Sequence, residues 1–369
     1  MKINRELPTD KNASDWPYSI RSAVQGSALR KLSLSLAVAV CTLTALGFGA
    51  RPVLAQGTPP LYGAELQGFE YPFPVKQFEF ETQGQTLRMA YMDVAPEHPN
   101  GKVAVMLHGK LYCSATWVHT IEELTRAGFR VVAVDQVGFC KSSKPQAYQF
   151  SFRQLAENTH RLLQNIGVTK PTFIAHSTGG MLGLHYALLY PSELRQLVLV
   201  NPIGLEDWAA KGVPPVSVDD WYKRELQSSA DALRRYQTRN FYAGKWDPSY
   251  EHWVEMLAGL RDGPGRNQVA WDSALVDDMI MTQPVLYRLH EITTPTLLLI
   301  GNKDRTAFGQ EFASTEVANS LGDYTVLGKK TAAVLPKATL VEFPTLGHSP
   351  QLSDPVAFHK ALLNGIDME

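Results

Sequence analysis

Cysteine is scarce in this chain: three in 369 residues, too few for a disulfide-built scaffold or a four-cysteine zinc site. No charge of one sign is in excess. Lys+Arg number 35 and Asp+Glu 36, a net of −1, so nothing in the balance points to a nucleic-acid partner. The ten histidines form neither an HExxH helix nor a close pair of metal-ligand type, so no metal site is expected. Internal repeats and low-complexity tracts are missing, which excludes solenoids and disordered arrays. What remains is ordinary globular composition, 44% hydrophobic and 19% charged, enough for one large domain or two small ones.

One uncharged stretch stands apart. Residues 32–50 read LSLSLAVAVCTLTALGFGA, with Arg30 and Lys31 directly before them and Val53-Leu54-Ala55 after. A basic flank, an apolar core and a small-x-Ala site describe an export signal cleaved before Gln56, with a periplasmic or secreted product. The alternative is a retained membrane anchor, which nineteen residues containing Ser, Thr and Gly serve poorly. Without residues 1–55 the chain holds 28 Lys+Arg against 33 Asp+Glu and is mildly acidic. Residues 56–70 read as a linker.

Beyond residue 71, short apolar runs alternate with amphipathic stretches. Residues 77–82 and 86–94 read as a hairpin. Runs at 102–107, 130–134, 172–175, 196–200, 296–300 and 339–343 are continuously apolar or nearly so, as strands buried on both faces are. Helical spacing marks 114–127, 151–166 and 181–190. The order predicts an α/β fold: a mostly parallel twisted sheet with helices on both faces. Residues 203–290 break the rhythm. They carry no buried-strand pattern and five of the seven tryptophans, and read as a helical insertion between sheet strands, with the core continuing over 291–369.

Three strand-terminal loops carry chemistry. In Ala175-His176-Ser177-Thr178-Gly179-Gly180 a serine sits between a strand and a helix, with small residues two before and two after, as a sharp turn demands. In Leu107-His108-Gly109-Lys110 a glycine allows the backbone close to that turn, so the N–H groups of Lys110 and Thr178 can form an oxyanion pair. The Lys110 side chain would point to solvent, pair with an acid or attract an anionic substrate. Asp304, after the strand at 296–300, and His348, after the strand at 339–343, supply an acid and a base. A serine hydroxyl needs an imidazole to take its proton, and the imidazole needs a carboxylate to fix its tautomer. Glu206 and Asp207 are competing candidates for the acid. Asp277-Asp278 reads as a solvated helix face or an amine site.

In the order Ser177, Asp304, His348, and in the stretch Asp135-Gln136-Val137-Gly138-Phe139 with Ser142 and Pro145, the sequence resembles the α/β-hydrolase family. His108-Gly109 and the tail Gly347-His348 with Asp354-Pro355 add to the likeness, which spans about residues 71–365. Cys140 stands where that family usually has glycine. The resemblance implies a serine hydrolase with a helical lid. It would cleave an ester or related acyl bond of a small-molecule substrate, with no metal or organic cofactor. A C–C bond hydrolase, a cofactor-free oxygenase and a catalytically silent binding protein are the alternatives on the same fold. Trp208, Trp221 and Trp271 are candidate pocket residues. Cys113 and Cys140, on loops after neighbouring strands, are candidates for a disulfide in an oxidising compartment.

Overall fold

The strands of the sheet alternate between two cores. In β3 (Val103–Leu107), Val105 and Leu107 join one buried cluster while Ala104 and Met106 join another. The same division runs through β4 (Arg130–Val134), β5 (Thr172–His176), β6 (Gln196–Val200) and β7 (Thr296–Gly301). Side chains of successive strand residues point to opposite faces, so a run apolar at every position feeds a core on each side. With the hairpin β1 (Val75–Thr82) and β2 (Gln85–Val94), and with β8 (Ala338–Phe343), the sheet has eight strands in the order β1-β2-β4-β3-β5-β6-β7-β8. From β4 to β8 every pairing is parallel. This computed structural model describes residues 60–366; the expected export signal at 1–55 lies outside them.

Helices α1 (Val118–Arg126) and α11 (Pro355–Gly365) cover one face, burying Ile121, Leu124, Phe358 and Leu362. Helices α2 (Phe152–Asn165), α3 (Thr178–Leu189) and α9 (Tyr324–Val334) cover the other. Ser151 caps α2, its side chain accepting from the Gln154 N–H.

Between β6 and β7 lie α4 (Val218–Leu226), α5 (Ala230–Asn240), α6 (Glu251–Asp262) and α7 (Arg266–Thr282). α4 packs on α7, and α5 on α6. The short α8 (Thr315–Ser320) and α9 occupy the long link between β7 and β8, and α10 (Pro350–Ser353) precedes α11. The expected linker is corrected in its described part. Leu66 and Phe69 are buried beside Val254 and Leu257 of α6, and the Tyr62 N–H donates to the Gly259 carbonyl at 2.9 Å. Two aromatic rings and a leucine give this segment enough apolar surface to dock. No helix among the described residues is long and apolar enough to cross a membrane.

Candidate active site

Ser177 follows β5 directly and α3 begins at the next residue, so the chain reverses at one position. Its φ is 56° and ψ −120°, a strained conformation for a residue with a Cβ. The turn leaves no room around it. A Cβ on Gly179 would lie 2.5 Å from the Leu107 carbonyl oxygen, and one on Gly109 would lie 2.9 Å from Ser177 Cβ. Both glycines are therefore required by close approach, and together they hold the loop after β3 against the serine turn.

Ser177 and His348 line one cavity of about 1000 Å³, with Gly109, Lys110 and Thr178 in the same wall. His348 is fully buried, and its Nδ1 lies 2.6 Å from Asp304 Oδ2. Asp304 also accepts from the Thr306 N–H at 2.7 Å and from Asn201 Nδ2 at 3.0 Å. An ionised carboxylate so held keeps the imidazole proton on Nδ1 and leaves Nε2 as the acceptor. That Nε2 has no hydrogen-bond partner, so the bond between the serine hydroxyl and the imidazole is not formed here. Such bonds are often long before substrate binds. Among the described residues, no backbone hydrogen bond of the surrounding turns uses the Lys110 or Thr178 N–H, so both stay candidates for oxyanion donors.

The neighbouring histidines are each held by backbone groups. His108 Nε2 accepts from the Gln136 N–H at 3.2 Å, and its Nδ1 faces the Gly109 carbonyl at 2.9 Å, so the neutral ring braces its own loop. Burial holds it below the usual imidazole range. His176 sits 2.8 Å from the His348 carbonyl oxygen through Nε2, and burial pushes it well below that range too. Glu206 is engaged elsewhere, by Lys211, the Trp208 indole and the Gly322 N–H, and Asp207 accepts from the Tyr287 hydroxyl. Of the competing acids, Asp304 alone is bonded to His348.

The Lys110 side chain is buried, its Nζ 2.9 Å from Glu225 Oε1 and 2.8 Å from Asp277 Oδ1. Arg224 and Arg261 complete the cluster. Asp277 is thus not on a solvated helix face: it is fully buried, and desolvation raises its carboxyl above the ordinary range. The tryptophan expectations are corrected as well. None of Trp208, Trp221 and Trp271 lines the cavity. Trp208 packs on Phe308, Trp221 on Phe312 and Trp271 on Tyr222 of α4, so each indole is engaged by a neighbouring aromatic ring instead. The aromatic wall comes from Tyr112, Tyr236, Phe241 and Phe308 instead.

Cys113 and Cys140 are joined by a disulfide, their Cα atoms 5.8 Å apart. Cys113, Cys140 and Asp135 form a compact group of metal-ligand type, but the disulfide uses both sulfurs and leaves no thiolate for an ion. Cys140 has φ of 48°, which explains why glycine suits that position in the resembling family.

Sequence reasoning passed over Asn201 and the segment Asn240–Phe241. Asn201 follows β6 at the same sheet edge, and its position there was a readable signal. The Asn240 carbonyl accepts from the His348 N–H at 3.1 Å, and the Phe241 ring lies 4.7 Å from the imidazole. No local pattern announces a contact made 108 residues away.

An α/β sheet with a strained serine turn and an acid–histidine pair at its strand ends defines a hydrolase class. Residues 103–355 match the alpha/beta hydrolase fold family, and the chain belongs to it. It is similar to the crystal structure of a probable hydrolytic enzyme from Pseudomonas aeruginosa PAO1. The two are 57% identical over 84% of this chain and 99% of that one, with a TM-score of 0.83. A putative carbamate hydrolase of Pseudomonas savastanoi is 25% identical over 74% of this chain and 96% of its own length. A cis-3-alkyl-4-alkyloxetan-2-one decarboxylase of Xanthomonas campestris is 31% identical over 143 residues, and the match spans 45% of that protein.

Proposed function

We propose that this hydrolase is a serine enzyme of carboxylesterase type, cleaving an ester or related acyl bond through an acyl-enzyme on Ser177. The observation that carries the reading is the Asp304–His348 contact of 2.6 Å opening on the same cavity as the Ser177 turn. In the first half-reaction Ser177 Oγ bonds to the substrate carbonyl carbon while His348 Nε2 takes the hydroxyl proton. The carbonyl oxygen gains negative charge and is held by the Lys110 and Thr178 N–H groups, beside the positive end of α3. The tetrahedral centre collapses, the bond to the leaving alcohol breaks, and His348 returns the proton to that oxygen. In the second half-reaction His348 deprotonates a water that attacks the acyl carbon. The carboxylic acid leaves and the Ser177 hydroxyl is restored. Asp304 keeps its negative charge throughout and stabilises the imidazolium.

A fluorophosphonate probe tests this directly. Ser177 is expected to be labelled, and Ser177→Ala to abolish the label while the protein stays folded. A folded wild type that takes no label would favour a binding protein on this fold. Export, with removal of residues 1–55, belongs to the same proposal. Amino-terminal sequencing of the mature protein is expected to begin at Gln56.

A further inference from the structure

The cavity wall is far more basic than the chain. Six cationic side chains line it, those of Lys110, Arg224, Arg235, Arg239, Arg261 and Arg305, against the acids Glu225 and Glu311. The whole chain has a net charge of −1, so this is local placement and not a general surplus.

Four of the six are already committed. Lys110 and Arg261 pair with Glu225, Arg224 pairs with Glu311 and Asp277, and Arg305 donates to the Asp304 carbonyl and lies 3.6 Å from Asp323. Drawing the buried ones away to hold a substrate would leave a carboxylate unpaired in a dry site, which is strongly unfavourable. Arg235 and Arg239 differ. They are exposed, four residues apart on one face of α5, and neither has an ion-pair partner among the described residues. Both also line an adjoining open depression with Lys303, so they stand where the cavity meets solvent. The same wall carries the apolar side chains of Leu233, Phe241 and Phe308, and the Phe241 ring lies 4.7 Å from the His348 imidazole.

On the hydrolase reading above, we infer that the substrate carries a carboxylate at the end of an apolar acyl stem, and that Arg235 and Arg239 receive it. The stem lies along the apolar wall with its carbonyl at Ser177, and the charged end reaches the rim of the cavity. Guanidinium forks suit a planar carboxylate, and at the rim they bind it without burying an unpaired charge.

The test compares the p-nitrophenyl monoester of adipic acid with the same ester methyl-capped at its free acid. At low ionic strength kcat/KM is expected to favour the anionic ester on the order of tenfold, and the preference shrinks as salt is added. The double variant Arg235→Gln/Arg239→Gln is expected to bring the ratio of the two esters close to one. A wild-type ratio of one or below, or a ratio kept by the double variant, overturns the inference while leaving the esterase reading intact. Calorimetric titration with adipate needs no turnover. Weaker binding by the double variant supports the arginine site, and equal binding overturns it. Failure of the fluorophosphonate to label Ser177 would count against the hydrolase reading itself and not against the calorimetric result.

Discussion

Asp304 shows how much of a site one side chain can organise. One oxygen faces the His348 ring and Asn201 Nδ2, and the other accepts from the Thr306 N–H. Asp304→Asn keeps the volume and most of these contacts. An amide NH₂ facing Nδ1, however, favours the imidazole tautomer with its proton on Nε2, where it cannot act as a base. By analogy with the worked serine-protease case, kcat is expected to fall about 1,000- to 10,000-fold with little change in melting temperature. A variant within tenfold of wild type would show that another acid serves His348. The sequence made Ser177, Asp304 and His348 legible because each follows a parallel strand, two of them buried and the third the partly exposed edge strand β8, and strand ends gather at one sheet edge. Asn201 lay at the same edge and escaped notice because an amide after a strand has no distinctive chemistry until its partner is known. The three tryptophans misled for a related reason. Their number in residues 203–290 signals buried contact area, but which side of a helix faces the cavity depends on packing that periodicity alone does not decide.

At the scale of elements, the Lys110 side chain ties the loop after β3 to two lid helices, through Glu225 of α4 and Asp277 of α7. The same residue's N–H is a proposed oxyanion donor, so the lid and the reaction centre are held in one body. Lys110→Met leaves two buried acids with only Arg224 and Arg261 to compensate them, and the expected loss of stability is about 3 kcal/mol. Adding Asp277→Leu removes the stranded carboxylate and is expected to restore most of it. Urea unfolding of the two variants checks this, and a single variant as stable as wild type would show that the pairing holds nothing in place. The lid was visible in the sequence as an interruption of the strand rhythm. Its ion network was not, because the partners of Lys110 lie 115 and 167 residues away.

For the whole molecule, burial of neutral imidazoles links folding to pH. His185 stacks on Phe152 at 4.9 Å with rings nearly parallel, and burial pushes it down to about 4. An unfolded chain protonates this ring below about pH 6.5, whereas the folded protein keeps it neutral until about pH 4. Between those values the unfolded state binds the additional proton, so His185 withdraws stability as pH falls and the loss is complete below about 4. His108 and His176 act in the same direction, while the raised carboxyls of Asp272 and Asp277 act against it. The net slope of the wild type mixes all of these, and a difference between proteins isolates one. His185→Gln removes a single titrating ring, so its free energy of unfolding should fall less steeply than wild type between pH 6 and 4.5. The difference in slope approaches about 1.4 kcal/mol per pH unit, the value for one proton. Urea denaturation at closely spaced pH values measures both slopes. Parallel curves for the two proteins would mean that the ring at residue 185 titrates alike in the folded and unfolded chains, and that its stacked, half-buried position carries no penalty for charge.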